Sequence, residues 1–478
     1  MEGVIRIPHV DLAVIGSGAG LIVLEAALKK GLTCALIEKD KFGGTCLNRG
    51  CIPTKMLVYP ADLVREAQRG ERLGVSFPKP DIDWGRISQR VWQQIDANIE
   101  LRQGYLNTPN LLVLEGTGAF VDKHTLRVEL NQGGTTTLTA DTILVAAGGR
   151  SVLPPIQGLQ EADCLTYENF FGDRYPKQVY SSLAIIGGGV IGVEFAHIFS
   201  SLGSKVTVIG RAPQLLRGEE EESARLVQSQ LKENGVSLLL GHEAVRIEKR
   251  DGIKRVISRC METGVETAVE AQEVLIASGT RPNSDLVQAE NAGIALDSHG
   301  GILLNEYLQT NVPHIYALGD ITGKMLFRHK ANYEAQLLAD NLYLDKPLRK
   351  ADYTAVPMAA FTAPQLASVG LTEKQAQEQG IPYQVLRNSY GSIAAGFSMG
   401  YSAKEQDAGF IKVLVGENDK LLGVHVAGYQ AAALIQPYVY LMNAYSGARY
   451  GSAIRLIQQS MTIHPSLSEL TAWAFENY

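Results

Sequence analysis

The chain has 478 residues, of which 45% are hydrophobic and 20% charged, with a formal net charge of −6. That balance suits a soluble globular protein of about three domains, and without a basic stripe it argues against nucleic acid as the main partner. No apolar run is long enough to span a bilayer, and "MEGVIRIPHV" lacks the basic-then-apolar layout of a signal peptide, so a cytoplasmic protein without a membrane partner is expected. The cysteines are Cys34, Cys46, Cys51, Cys164 and Cys260. An odd, sparse set is not a disulfide framework, and with no second Cys or His cluster near any of them no metal site is expected.

In chain order, "VDLAVIGSGAG" (10–20) reads as a buried strand entering a glycine-rich turn. "LIVLEAALKKG" continues as a helix and "TCALIEK" as a second strand containing Cys34. This βαβ pattern predicts dinucleotide binding. Gly16 serves the tight turn, Gly18 the approach of backbone to a pyrophosphate at the helix N-terminus, and Glu38 the ribose hydroxyls. The third motif position is Leu21, preceded by Gly20, so helix and strand are expected to pack slightly wider apart.

Next comes "GGTCLNRGCIPTK" (43–55), with Cys46 and Cys51 separated by four residues. Cys51 opens a predicted helix with Pro53 in its first turn, where the peptide dipoles favour a thiolate. Lys55, one turn on, either adds positive charge beside a cofactor or is a surface lysine.

A second unit, "SLAIIGGGVIGVEFAHIFSSLGSKVTVIGR" (182–211), carries the complete motif at Gly187, Gly189 and Gly192. Its second strand ends at Gly210 and Arg211 rather than at an acid, with Arg217 beyond. A carboxylate there would repel a 2′-phosphate and arginines would clamp it, which favours NADPH over NADH. The alternative is that both arginines are solvated. "TILVAAGGR" (142–150) and "EVLIASGTRPN" (273–283) read as strands closing nucleotide sheets. "HIYALGDIT" ends at Gly319-Asp320, where the acid reaches a ribitol or ribose hydroxyl or caps the next helix. Near the end, "TIHPSLSEL" sets His464 five residues before Glu469, a proton donor–acceptor with a carboxylate able to fix its tautomer.

Two dinucleotide units and one cysteine pair share a chemistry. A hydride from a nicotinamide is two electrons, a disulfide accepts two, and a flavin passes the pair between them. The set "GSGAG", "GGTCLNRGCIPTK", "GGGVIGVE", "ASGTRPN", "YALGD", "FTAPQLASVGLTE", "LLGVHVAGYQAAALIQ" and "HPSLSE" resembles the class I pyridine nucleotide–disulfide oxidoreductases over essentially the whole chain. The resemblance implies an α/β fold of two Rossmann-like dinucleotide-binding domains plus a C-terminal α+β dimerisation domain. The expected division is an FAD domain at 1–150, an NAD(P) domain at 151–275, a central domain at 276–350 and an interface domain at 351–478.

The family pattern makes Cys51 the thiolate beside the flavin and Cys46 the thiol that attacks substrate. It brings His464 and Glu469 from the partner of a homodimer. It places Asp320 on FAD and Glu194 near the nicotinamide and Lys55. It further implies cofactor contacts from Lys39, Gly44, Thr45, Gly118, Gly148, Gly279, Leu326 and His329. "CIPTKMLVYPAD", "LLGVHVAGYQAAALIQP" and the Leu21 departure are most similar to mycothione reductases. No cysteine follows Cys260, unlike mercuric reductases and large thioredoxin reductases, and Thr462 stands where dihydrolipoamide dehydrogenases usually carry a second histidine.

The expected function is therefore NADPH-linked reduction of a low-molecular-weight disulfide through FAD and Cys46–Cys51. The alternative is a dihydrolipoamide dehydrogenase acting on a lipoyl-carrier protein. A non-catalytic NAD(P)H-sensing flavoprotein would not need Cys46, Cys51 and His464 together. Arg49, where "CLNVGC" is common, either biases the pocket toward an acidic substrate or faces solvent.

Overall fold

The computed structural model describes residues 8–405, 408–445, 453–475 and 478; the first seven residues of "MEGVIRIPHV" lie outside it. Strand β1 (His9–Ile15) runs into α1 (Gly20–Lys29) and β2 (Cys34–Glu38). The helices α2 (Gly44–Asn48) and α3 (Cys51–Arg69) follow. Then come β3 (Leu111–Phe120), β4 (Thr125–Leu130) and β5 (Thr135–Val145).

β1 pairs in parallel with both β2 and β5, in the registers Leu12↔Cys34 and Leu12↔Thr142. β3 adds in parallel beyond β2. The far halves of β3 and β5 pair antiparallel with β4. Alternation along β1 fixes which side chains go where, because successive residues face opposite sides of a sheet. Leu12 and Val14 pack against Val23, Leu24 and Ala27 of α1, while Ala13 and Ile15 pack against Phe120, Leu126 and Ile143. Each of these fully buried leucine, isoleucine and valine side chains contributes about 1.5–3 kcal/mol.

A short antiparallel pair, β6 (Gly149–Ser151) with a later strand Thr280–Pro282, joins this unit to the next. β7 (Ser182–Ile186), β8 (Lys205–Gly210) and β9 (Ser237–Leu240) form a parallel sheet with the strand Glu273–Ile276, which lies beside β7. Leu183 and Ile185 face Val193, Phe195 and Phe199 of the helix Val190–Ser201, and Ala184 and Ile186 face Val256 and Val274. The strand Ile315–Ala317 returns to the first sheet, parallel to β5. It delivers Gly319-Asp320 to the same edge as the first glycine turn. Residues from Pro357 onward build a five-stranded antiparallel sheet whose core includes Ile411, Val413, Val424, Val426, Tyr438 and Val439.

α3 spans the gap between the two nucleotide units. Leu57, Val58, Ala61 and Val64 are buried on it, while Tyr59 and Leu63 face outward. Its contact with the helix Val190–Ser201 is also polar. His197 Nε2 lies 2.8 Å from Asp62, and Arg65 Nε donates to Ser201 Oγ at 2.8 Å. Among the described residues no helix is long and apolar enough to cross a membrane.

The expected widening at the first glycine motif does not occur. Gly20 supplies the close approach that the absent third glycine would have made. A Cβ on Gly20 would lie 2.9 Å from Ala146 Cβ and 3.0 Å from Val14 Cγ1. Leu21 is buried in the core beside Leu12 and Val14. The motif has shifted its small residue by one position, and α1 remains seated on the sheet.

Candidate active site

A cavity of about 1390 Å³ joins both nucleotide units. Its wall includes Gly16, Gly18, Glu38, Lys39, Gly44, Thr45, Gly118, Gly148, Asp320, Leu326 and His329, and also Gly189, Glu194 and Gly279 from the second unit. Cys46, Cys51 and Lys55 line the same space.

The first unit is shaped for a diphosphate. Gly16 has φ +100°, and a Cβ there would meet Ala146 O at 2.4 Å, so only glycine fits. Gly18 is open toward the cavity, where the nearest atom to an added Cβ is Arg328 Nη1 at 3.8 Å. Glu38 is buried, and its Oε2 accepts from Ser17 N–H at 2.8 Å and from Ser17 Oγ at 2.6 Å. Its Oε1 accepts from Asp40 N–H at 2.8 Å. Those bonds fix the carboxylate at the end of β2 and leave lone pairs for ribose hydroxyls.

Asp320 lies inside a one-turn 3₁₀ helix whose cap position is Leu318, so it does not precede that turn as a capping residue. Burial raises its pKa, opposed by the nearby Lys330. Buried Lys330 pairs with buried Glu334 at 2.8 Å, and Glu334 accepts from Gly319 N–H at 2.8 Å, which fixes the backbone carrying Asp320. A cradle with an open glycine, a held carboxylate at the end of β2 and a buried acid at its far end fits a flavin dinucleotide.

The cysteines sit where α2 gives way to α3, and both are free thiols. Cys46 hydrogen-bonds Cys51, and this bond is the first cause lowering the Cys51 pKa to about 7. Burial opposes it, and the cations Lys55 and Arg328 add to it. The same hydrogen bond, and then burial, raise the Cys46 pKa. Of the pair, Cys51 is the one that ionises near neutral pH, while Cys46 keeps its proton. Lys55 Nζ lies 2.8 Å from Glu194 Oε2 and 4.5 Å from the Phe361 ring centroid. Glu194 is buried and also accepts from Phe361 N–H at 3.0 Å. Lys55 is thus pinned between the two units.

Other expected residues lie elsewhere. Gly20 sits behind the cavity wall, in contact with β1. Gly187 and Gly192 form the second turn, where a Cβ on Gly192 would lie 2.1 Å from Gly187 O. Arg211 is 72% exposed with Glu243 at 3.5 Å, and Arg217 is exposed. His464 Nδ1 bonds Glu469, which is fully buried, while the His464 side chain is 65% exposed and stacks on Trp473 at 6.2 Å. Neither His464 nor Glu469 lines the cavity of its own chain.

Arg49 is not turned to solvent; it lines the cavity and pairs with Asp40 there. Sequence reasoning missed Ser17, Tyr167 and Arg328 as lining residues. Arg328 had a readable signal, since it stands beside His329 at the start of a helix shortly after Asp320. His329 itself bonds Pro357 O at 2.7 Å, and burial lowers its pKa.

The family model for pyridine nucleotide-disulphide oxidoreductases matches residues 10–335, and the model for their dimerisation domain matches 356–475. The chain belongs to the pyridine nucleotide-disulphide oxidoreductases. It is 32% identical to a mycothione reductase of Mycobacterium tuberculosis (strain H37Rv), covering 96% of this chain and 97% of that protein. It is 33% identical to a dihydrolipoyl dehydrogenase of Bacillus subtilis (strain 168), covering 96% of each. Among solved structures it is similar to the HOCl-induced flavoprotein disulfide reductase RclA of Escherichia coli. That likeness has a TM-score of 0.83 and 28% identity, over 98% of this chain and 99% of that one. As a member of this family of FAD-dependent, pyridine nucleotide-linked enzymes, the chain is an oxidoreductase with a dimerisation domain.

Proposed function

We propose that this oxidoreductase uses NADPH to reduce a low-molecular-weight disulfide, as a homodimer in the cytoplasm. The carrying observation is that Cys46 and Cys51 open into the cavity that the two glycine-turn units share. Residues 1–150 and 276–350 hold FAD in this reading, 151–275 hold the nicotinamide nucleotide, and 351–478 pair two copies.

FAD, when bound, carries two electrons from the nicotinamide to the Cys46–Cys51 disulfide. Gly16, Gly18, Glu38 and Asp320 hold it, with Lys39, Gly44, Thr45, Gly118, Gly148, Leu326 and His329 along the wall. Gly187, Gly189, Gly192, Gly279 and Glu194 shape the nicotinamide nucleotide's site. Lys55, fixed by Glu194, stabilises the negative charge of the Cys51 thiolate. Cys46 loses its proton to His464 of a second copy and attacks a substrate sulfur, forming a mixed disulfide. The first substrate thiolate leaves and takes the proton from His464. Cys51 then attacks Cys46, restoring the internal disulfide and expelling the second thiolate, which takes a proton from solvent. One NADPH, one proton and one disulfide thus become NADP and two thiols. Glu469 holds the imidazole through Nδ1, which leaves Nε2 to move the proton.

Arg211 and Arg217, beyond an acid-free β8, support NADPH over NADH. Substituting both by alanine should weaken NADPH and spare NADH, since an arginine–phosphate contact contributes about 1.5–3 kcal/mol. An unchanged NADPH/NADH ratio puts that assignment out. The function is tested by steady-state kinetics of FAD-loaded protein with NADPH or NADH against glutathione disulfide, mycothiol disulfide and lipoamide, and with dihydrolipoamide and NAD in reverse. NADPH-linked turnover of one small disulfide supports the proposal. Fast NAD-linked oxidation of dihydrolipoamide would instead make it a lipoamide dehydrogenase served by a lipoyl-carrier protein.

A further inference from the structure

Residues 211–220 connect β8 to the helix Glu221–Glu233. In a dinucleotide-binding unit the end of that strand meets the adenosine ribose. The connection therefore carries whatever the chain uses to distinguish a 2′-phosphate from a 2′-hydroxyl. It is held from two sides.

On the nucleotide side, Leu216 N–H donates to Gly188 O in the glycine turn at 2.8 Å. Leu215 is fully buried against Gly188, where an added Cβ would lie 2.8 Å from Leu215 Cδ2. Leu216 is buried at φ +52°, a left-handed conformation that a branched side chain adopts only when its surroundings impose it.

On the other side, the segment's end is held by residues of the C-terminal domain. Glu219 Oε2 accepts from Ser368 Oγ at 2.7 Å. Glu220 is buried; its Oε1 accepts from Lys412 Nζ at 2.7 Å and its Oε2 from Glu373 N–H at 2.9 Å. Glu222 accepts from Lys412 at 3.0 Å and from Arg387. Lys412 is fully buried and also bonds Glu373. Glu220, Glu222 and Glu373 are close enough together to hold a metal ion, but the Lys412 ammonium already occupies the position among them. Ser368, Glu373, Arg387 and Lys412 all belong to the dimerisation domain. A buried cation facing three carboxylates leaves the segment little freedom to slide, because any displacement would strand a charge away from water.

We propose that Lys412, through Glu220, is a positioning residue for nicotinamide nucleotide selectivity: it holds the Arg211–Arg217 segment in the register at which it meets the nucleotide's 2′ position. This rests on the assignment of the second glycine unit to the nicotinamide nucleotide and on the NADPH reading. Lys412 does not line the shared cavity. It acts by fixing the loop from the far side.

The test uses full-length FAD-loaded protein and the variants Lys412→Met and Glu220→Gln. NADPH and NADH oxidation is followed with a small quinone as acceptor, which reads the nucleotide site without Cys46. The ratio of kcat/KM for NADPH to that for NADH should fall about tenfold in Lys412→Met, the effect of misplacing one charge-assisted contact. NADH turnover and FAD content should hold, and trypsin should cut after exposed Arg217 faster. Glu220→Gln, which keeps the buried lysine with two carboxylates, should shift the ratio the same way by less, and it decides the matter if Lys412→Met does not fold. An unchanged ratio in a folded variant, or equal loss with both nucleotides, overturns the proposal. Wild-type preference for NADH would sink the NADPH reading by itself, while the change of ratio on substitution would still judge the role of Lys412.

Discussion

Cys46→Ala tests the electrostatics of the dithiol. The Cys51 pKa of about 7 lies below the ordinary thiol value chiefly because the Cys46 thiol donates to it. A hydrogen bond to a charged group contributes about 1.5–3 kcal/mol, and one pKa unit is about 1.4 kcal/mol. Removing the donor should therefore raise the Cys51 pKa by about one unit or more, with Lys55 and Arg328 still holding it below a wholly unassisted thiol. At pH 7 the thiolate fraction then falls from about half to about a tenth, and alkylation of reduced Cys51 slows about fivefold. The rates should converge above pH about 9, where both forms are ionised. The assay is iodoacetamide labelling against pH, resolved by peptide mass. Resolution matters because hydrogen bonds at Thr263 lower the pKa of Cys260, which will label too. Burial raises Cys34 to about 12 and Cys164 to about 11, so those two should stay silent. An unchanged labelling midpoint for Cys51 in Cys46→Ala would refute the argument and assign the shift to the cations and the helix end.

Lys55→Met should raise the Cys51 labelling midpoint and cost about 2 kcal/mol of stability, because buried Glu194 keeps only the Phe361 N–H; a urea midpoint equal to wild type contradicts this. Gly20→Ala pushes a methyl into Ala146 and Val14, and should cost about 1–3 kcal/mol together with weaker FAD retention, read by thermal melting and flavin absorbance. An unaltered melting midpoint would mean that α1 has room to shift. His464→Ala should lower disulfide turnover about 100-fold while quinone reduction by NADPH is kept, and equal loss of both activities would remove His464 from thiol chemistry.

Much of the site was readable because its chemistry depends on local backbone shape. The strand–turn–helix of each nucleotide unit, the start of α3 at Cys51 and the acid ending β2 all follow from residues close together in the chain. The misreading at Leu21 came from counting glycines. What the packing requires is one small residue facing β1, and Gly20 satisfies that one position earlier. Ser17 was passed over because it has no distinctive sequence context and matters only through Glu38 opposite it, whereas Arg328 carried a signal, its place beside His329 at a helix start, that was not used.

By itself the sequence determined the two parallel-sheet units, the cysteine pair, and the carboxylates Glu38 and Asp320. The period-2 strands and glycine turns that specify them are properties of a few consecutive residues. The tertiary structure decided everything that needs two remote segments to meet. It set Lys55 against Glu194, gave Arg49 to Asp40, and put Lys412 among Glu220, Glu222 and Glu373. It also kept His464 and Glu469 away from the cavity of their own chain. Where burial removes water from a charged group, as at Lys412 and Glu194, the charge must find its opposite across the fold.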